Sequence, residues 1–134
     1  MVLNLGTSDT NNTATMVAYC WAEIAGFSKF GSYTGNANSD GPFVYCGFRP
    51  KYIMLKNASA TYNWVVWDTV RSTYNVMGNY LVPNLSDAEA SINAIDILSN
   101  GFKIRDPNAF DNGSGNTIIF AAFAENPFKN SLAR

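Results

Sequence analysis

Glu23, Asp40, Asp68, Asp87, Glu89, Asp96, Asp106, Asp111 and Glu125 are the side chains of this 134-residue chain best suited to acid–base work. A glycosidase would use two such groups held about 5–10 Å apart across a sugar. Their spacing singles out no pair. Most fall beside turn-forming residues, where Asp is common because its carboxylate hydrogen-bonds the local backbone. The chain contains no histidine and no Cys-x-x-Cys pair. That removes the Ser-His-Asp triad and the usual zinc sites. Neither a P-loop nor a GxSxG or GxGxxG sequence is present. No catalytic residue, metal set or cofactor site is expected, and the chain reads as non-enzymatic.

Other groups have ligand chemistry to offer. The loops at Asp111-Asn112-Gly113-Ser114-Gly115 and Asn38–Gly41 carry oxygens of the kind Ca²⁺ takes, although the same residues serve plain turns. Tyr62, Asn63, Trp64 and Tyr80, with Asn75 and Asn79 nearby, have the composition of a glycan platform of flat rings beside amides. By parity one of Trp64 and Trp67 must face inward. Asn11, Asn57, Asn84 and Asn112 stand in Asn-x-Ser/Thr sequons, formal acceptors for N-glycosylation. Cys20 and Cys46 allow one disulfide or two free thiols. Arg71 follows Asp68 by three residues and is placed to pair with it at the surface.

The elements that must position these groups read as β-strands. Hydrophobic residues make up 47% of the chain and aromatics 14%, too rich for a disordered protein. Charged residues are only 14%, about half the usual share, so Asn, Ser, Thr and Gly supply the polar surface. A net charge of −1 without a basic stripe argues against nucleic acid. No apolar run is long enough for a membrane-spanning helix. Residues 1–14 read as a flexible polar lead-in and not as a signal peptide, and residues 15–134 as one domain.

Short apolar runs separated by turn residues predict strands at Thr15–Ile24, Ser28–Thr34, Phe43–Phe48, Lys51–Asn57, Trp64–Thr69, Ala94–Leu98, Phe102–Arg105 and Thr117–Glu125. Arg49-Pro50 breaks a ladder, and Ser99-Asn100-Gly101 is a hairpin turn. Ser86-Asp87-Ala88-Glu89 has the form of a capping box, so at most one short helical turn is expected there. The expected architecture is a single antiparallel β-sandwich, all-β and jelly-roll-like.

The two ends nearly repeat. Thr15-Met16-Val17-Ala18-Tyr19-Cys20-Trp21-Ala22-Glu23 aligns without a gap on Thr117-Ile118-Ile119-Phe120-Ala121-Ala122-Phe123-Ala124-Glu125. Two strands of one sheet can look alike because both obey one pattern. Alternatively, each unit of a tandem array ends in this strand, and a unit cut from the array carries a spare copy. A spare strand can add to an exposed sheet edge of the next subunit, and a head-to-tail contact of that kind builds a filament. Val17, Tyr19 and Trp21 alternate with Met16, Ala18, Cys20 and Ala22, so both faces are apolar, as in a strand covered on both sides.

Gly31-Ser32-Tyr33-Thr34-Gly35-Asn36, Asp40-Gly41-Pro42-Phe43-Val44-Tyr45 and Gly47-Phe48-Arg49-Pro50 form a specific string. With Tyr19–Glu23, Gly26–Phe30, Leu98–Lys103 and Ala122–Lys129, it resembles a domain of unknown function found in phage tail-fibre and virion proteins, notably of aquatic phages. The resemblance covers nearly all of the chain after residue 14 and carries no catalytic residues. It implies a module placed in tandem within longer proteins. The expected function is therefore a structural subunit of a virion or extracellular fibre. It would form a homo-oligomer with Val17, Tyr19, Trp21 and Glu23 as donor and Ile119, Phe123 and Glu125 lining or neighbouring the acceptor. The alternative is a receptor- or glycan-binding module using Tyr62, Asn63, Trp64 and Tyr80.

Overall fold

The computed structural model describes residues 15–126. It has eight strands: β1 (Ser28–Thr34), β2 (Phe43–Tyr45), β3 (Pro50–Asn57), β4 (Val65–Asp68), β5 (Met77–Leu81), β6 (Ala90–Leu98), β7 (Gly101–Ile104) and β8 (Thr117–Ala124). One helical turn, α1 (Ala109–Asn112), precedes β8. All pairings are antiparallel, in the order β1-β8-β3-β4-β5-β6-β7-β2, and the single sheet curls into a nearly closed barrel. The all-β antiparallel fold with one helical turn is as expected, its layers being the walls of one continuous sheet.

Alternation explains the core. Side chains of a strand point alternately to the two faces. Ile53 and Leu55 of β3 stand opposite Ala122 and Phe120 of β8 on one side and Trp67 and Val65 of β4 on the other. All six are buried, as are Ile95, Ile97, Phe102 and Ile104 across the barrel. Each large side chain so buried contributes about 1.5–3 kcal/mol. Trp67 is the inward tryptophan.

The strand boundaries of β1, β3, β4, β7 and β8 lie within a residue of expectation. β2 stops at Tyr45, because Gly47 takes a φ of +80° and turns the chain. β6 starts four residues earlier than Ala94. The β6–β7 hairpin turns at Ser99-Asn100, with Leu98 opposite Gly101. Gly101 is required there, since a Cβ would run into the Val44 carbonyl oxygen.

Three expectations need correction. Thr15–Ile24 forms no strand, apart from a single Ile24–Ser28 bridge. β5 was hidden because Gly78 and Asn79 resemble turn residues. Gly78 instead allows close approach, as a Cβ there would lie 2.9 Å from Ser91 Oγ, and the β5–β6 register shifts around it. The helical turn is α1 and not Ser86–Glu89. Glu89 instead bonds Arg71 at 2.6 Å, and Arg71 also makes the expected pair with Asp68, at 2.7 Å.

Candidate functional site

Two strands end the sheet, so the barrel has a seam. Antiparallel residues alternate between facing one neighbour and facing the other. Ala124 N donates to Phe27 O, and Gly35 N donates to Asn116 O, both at 2.9 Å. The odd-numbered residues of β1 therefore face β8. The N–H and C=O groups of Ser28, Phe30, Ser32 and Thr34 point away from it. Those of Ser28 bond Ile24. Those of Phe30, Ser32 and Thr34 meet no strand among the described residues. On β2, Cys46 N donates to Asn100 O, and Pro42 O accepts from Ile104 N, so Phe43 and Tyr45 turn their backbone groups outward. A groove of about 370 Å³ separates the two edges, lined by Lys29–Tyr33, Phe43–Tyr45 and Phe120.

The segment Thr15–Glu23 lies outside the barrel. Val17 is 76% exposed, Tyr19 77% and Trp21 56%. Three contacts tether its end. Ser28 Oγ donates to Ala22 O at 3.1 Å, Lys29 Nζ donates to Glu23 Oε1 at 2.7 Å, and Ile24 bridges Ser28. Tyr19 stacks on Trp21, and Trp21 on Phe30, with centroids 6.2 and 6.4 Å apart. Phe30 meets the edge of Phe123 at 5.8 Å, and Tyr52 meets Phe123 at 5.9 Å. This aromatic row borders an apolar cavity of about 310 Å³ on the outer face, lined by Trp21, Tyr52, Met54, Ala121 and Phe123. Sequence reading missed Phe30, Tyr52 and Met54 here, although each is the polar-facing partner in an alternating strand and is apolar.

Of the residues expected near an acceptor, Ile119 is exposed on the outer face, Phe123 sits in the aromatic row, and Glu125 pairs with Arg49 at 2.8 Å. β8 itself has both edges paired, to β1 and β3. The open edge neighbouring it is that of β1.

The glycan-platform residues are partly brought together. Tyr62, Asn63 and Tyr80 line a groove of about 150 Å³ with Val65, Val82 and Phe110. Trp64 does not line it, and Tyr80 is half-buried against Trp67 and Phe110. Asn84 orders the rim, its Oδ1 accepting from Trp64 N and its Nδ2 donating to Asn63 Oδ1. Asn75 is spent on the backbone of Ile97. Among the sequons, Asn57 and Asn112 are fully buried, so neither is open to glycosylation in the folded protein. Asn57 Oδ1 accepts from Ser59 N and Ala60 N, and Asn112 Oδ1 accepts from Asn36 N. Asn84 is exposed, and Asn11 lies outside the described residues.

One end of the barrel holds a polar plug. Asn112 Nδ2 donates to Asn38 O, tying the two oxygen-rich loops together, and to Asp106 O. The fold brings carboxylates together in three places: Asp68 and Glu89 on Arg71, Asp40 and Asp96 on Arg105, and Asp106 with Asp111, the last two both buried. Burial first, then the charge of nearby Asp106, push the Asp111 carboxyl, whose two oxygens are buried without a hydrogen-bond partner, up to about 9. Asp111 therefore holds a proton at neutral pH. Tyr33, whose hydroxyl donates to Asp111 O at 2.5 Å, is raised well above its ordinary value by burial and the two carboxylates. Cys20 is an exposed free thiol; the Cys46 thiol is free and buried, and burial raises it to about 12.

No curated protein and no solved structure matches the chain. Residues 1–127 match the family described as Domain of unknown function (DUF7483), and the chain belongs to that family.

Proposed function

We propose that the protein is a non-enzymatic structural subunit of a virion or extracellular fibre that joins copies head-to-tail by lending a strand. One observation carries this reading. Thr15–Glu23 has the pattern of a doubly covered strand and copies β8, yet it lies in no strand and exposes Val17, Tyr19 and Trp21. A ribbon with two apolar faces gains from being covered on both. Each fully buried aromatic would contribute about 1.5–3 kcal/mol. Ile119, Phe123 and Glu125 stand beside the receiving edge. The resemblance to phage fibre domains points the same way.

The test compares the intact protein with a variant lacking residues 1–24, using size exclusion and electron microscopy. Filaments from the intact protein and a folded, non-assembling variant are expected. Equal assembly by both would reject strand lending.

A second reading has its own observation. The Tyr62–Asn63–Tyr80 groove offers an exposed ring and amides that could receive a surface glycan. A glycan array with the intact protein and a Tyr62→Ala control tests it. Silence across the array, or binding unchanged by the substitution, would count against it.

A further inference from the structure

The geometry points to the open edge of β1 as the acceptor for Thr15–Cys20 of a second copy, with Met16, Ala18 and Cys20 turned into the barrel beside Gly31 and Phe120. This rests on the strand-lending reading and adds the receiving edge and the side-chain parity.

The hydrogen-bonding groups come first. Phe30, Ser32 and Thr34 present N–H and C=O groups along one side of β1 that pair with no strand among the described residues. A row of this kind recruits an extended chain through its backbone. The groove beside it is long enough to show Lys29 through Tyr33 on one wall. Its charge suits an uncharged guest. Lys29 is the one charged residue lining it, and Glu23 of the same protomer already pairs with Lys29. Thr15–Ala22 carries no charge.

Parity then decides which copy supplies the guest. Ile24 and Ser28 exchange both backbone hydrogen bonds across a tight turn in which Gly26 has a φ of +74°. Extending that ladder within one protomer fixes the register. Glu23 would stand opposite Lys29, Trp21 opposite Gly31, and Tyr19 opposite Tyr33. Lys29, Gly31 and Tyr33 lie opposite the buried residues Ala122, Phe120 and Ile118, so they share the inner face. Trp21 and Tyr19 would thus be driven inward, whereas Trp21 in fact stacks on Phe30 of the outer face.

The opposite parity fits. In the near-repeat, Met16, Ala18, Cys20 and Ala22 align with Ile118, Phe120, Ala122 and Ala124, the inward face of β8. Val17, Tyr19 and Trp21 align with its outward residues. A one-residue slip exchanges the faces of a strand. The turn forbids that slip to a protomer's own segment, whereas a segment arriving from another copy is not bound by it. The acceptor's own Ile24 blocks the edge at Ser28, so the guest pairs along Phe30–Thr34.

Residue-resolved amide hydrogen exchange on the full chain, as monomer and as assembly, tests this. The amides of Phe30 and Ser32 should exchange rapidly in the monomer and slow by at least 100-fold in the assembly. Lys29, Gly31 and Tyr33 face β8 and should be protected in both. Ser32→Pro removes an outward N–H without touching the β8 ladder, and should leave a folded monomer that does not assemble. If the intact chain stays monomeric at all concentrations, the strand-lending reading falls and this inference with it. If it assembles while Phe30 and Ser32 exchange unchanged, only the receiving edge is wrong. Protection already present in the monomer would place the protomer's own segment on the edge and overturn the proposal. Protection gained equally by a dimer lacking residues 1–24 would mean that two β1 edges pair, and would overturn it too.

Discussion

Thr15–Glu23 and Thr117–Glu125 share one pattern, yet strand β8 lies inside the sheet while the amino-terminal copy lies on the surface. The difference is in the neighbours. β8 has β1 on one edge and β3 on the other, and its inner face meets Leu55, Ile53 and Phe102. The amino-terminal copy leads straight into a tight turn before β1, and that turn presents the wrong face to the core. Identical periodicity thus produces a strand in one place and an exposed ribbon in the other. Strand formation is settled by what pairs with a segment at least as much as by its own residues.

The largest expected contrast between the copies is in their inward residues. Phe120→Ala, at a buried ring packed on Gly31 and Phe102, should cost the monomer about 3–5 kcal/mol in urea denaturation. Ala18→Gly, at the aligned position of the ribbon, should leave monomer stability within about 0.5 kcal/mol. Comparable losses at both positions would mean that the ribbon is already packed in the monomer.

A pH-dependent effect sharpens how β8 is held at its start. The plug containing α1 leads directly into it, and Asp111 there has its carboxyl raised to about 9 against an ordinary value near 4. The folded protein keeps a proton that the unfolded chain releases. The stability from this group is full below about pH 4 and declines as pH rises toward 9, at no more than about 1.4 kcal/mol per pH unit. Asp111→Asn should flatten that decline in denaturation midpoints measured between pH 5 and pH 9. An unaltered slope would mean that Asp111 is not the group responsible. The ribbon has no such buried acid, so the variant lacking residues 1–24 should keep the slope of the intact chain.

What was legible in the sequence follows the same division. β1, β3, β4, β7 and β8 showed in alternation and turn residues because both signals are local. β5 did not, because Gly78 is there to admit Ser91, a long-range reason. The seam was equally invisible. No residue of β1 or β2 announces that the other fails to reach it, and Phe30, Ser32, Phe43 and Tyr45 became notable only once the sheet order was known. Of the residues expected to form a glycan platform, Tyr62, Asn63 and Tyr80 converge on one groove, while Trp64, just before β4, does not line it. Asp106 and Asp111 looked like turn residues, but Asp111 lies in α1, and burial of both against one another couples them.

The next effect in size belongs to the outward aromatics. Trp21→Ala removes a stack on Phe30 and Tyr19 from a largely exposed ring, and should cost the monomer no more than about 1 kcal/mol. Assembly, followed by size exclusion, should weaken by 10-fold or more. A large loss of monomer stability with assembly intact would assign Trp21 to its own barrel as a lid on the outer cavity.

The smallest effect concerns the acids that close both copies. Glu23 and Glu125 occupy the same position of the repeat, and each makes one ion pair, with Lys29 at 2.7 Å and with Arg49 at 2.8 Å. All four side chains are at least one-third exposed, so solvent screens both pairs. Glu23→Gln and Glu125→Gln should each change monomer stability by less than about 0.5 kcal/mol, and by similar amounts. Equality here beside a large difference at Phe120 and Ala18 would place the distinction between the copies in apolar covering. If Glu125→Gln proved much the more costly, the acid would be helping to choose which copy enters the sheet, and burial alone would not account for the choice.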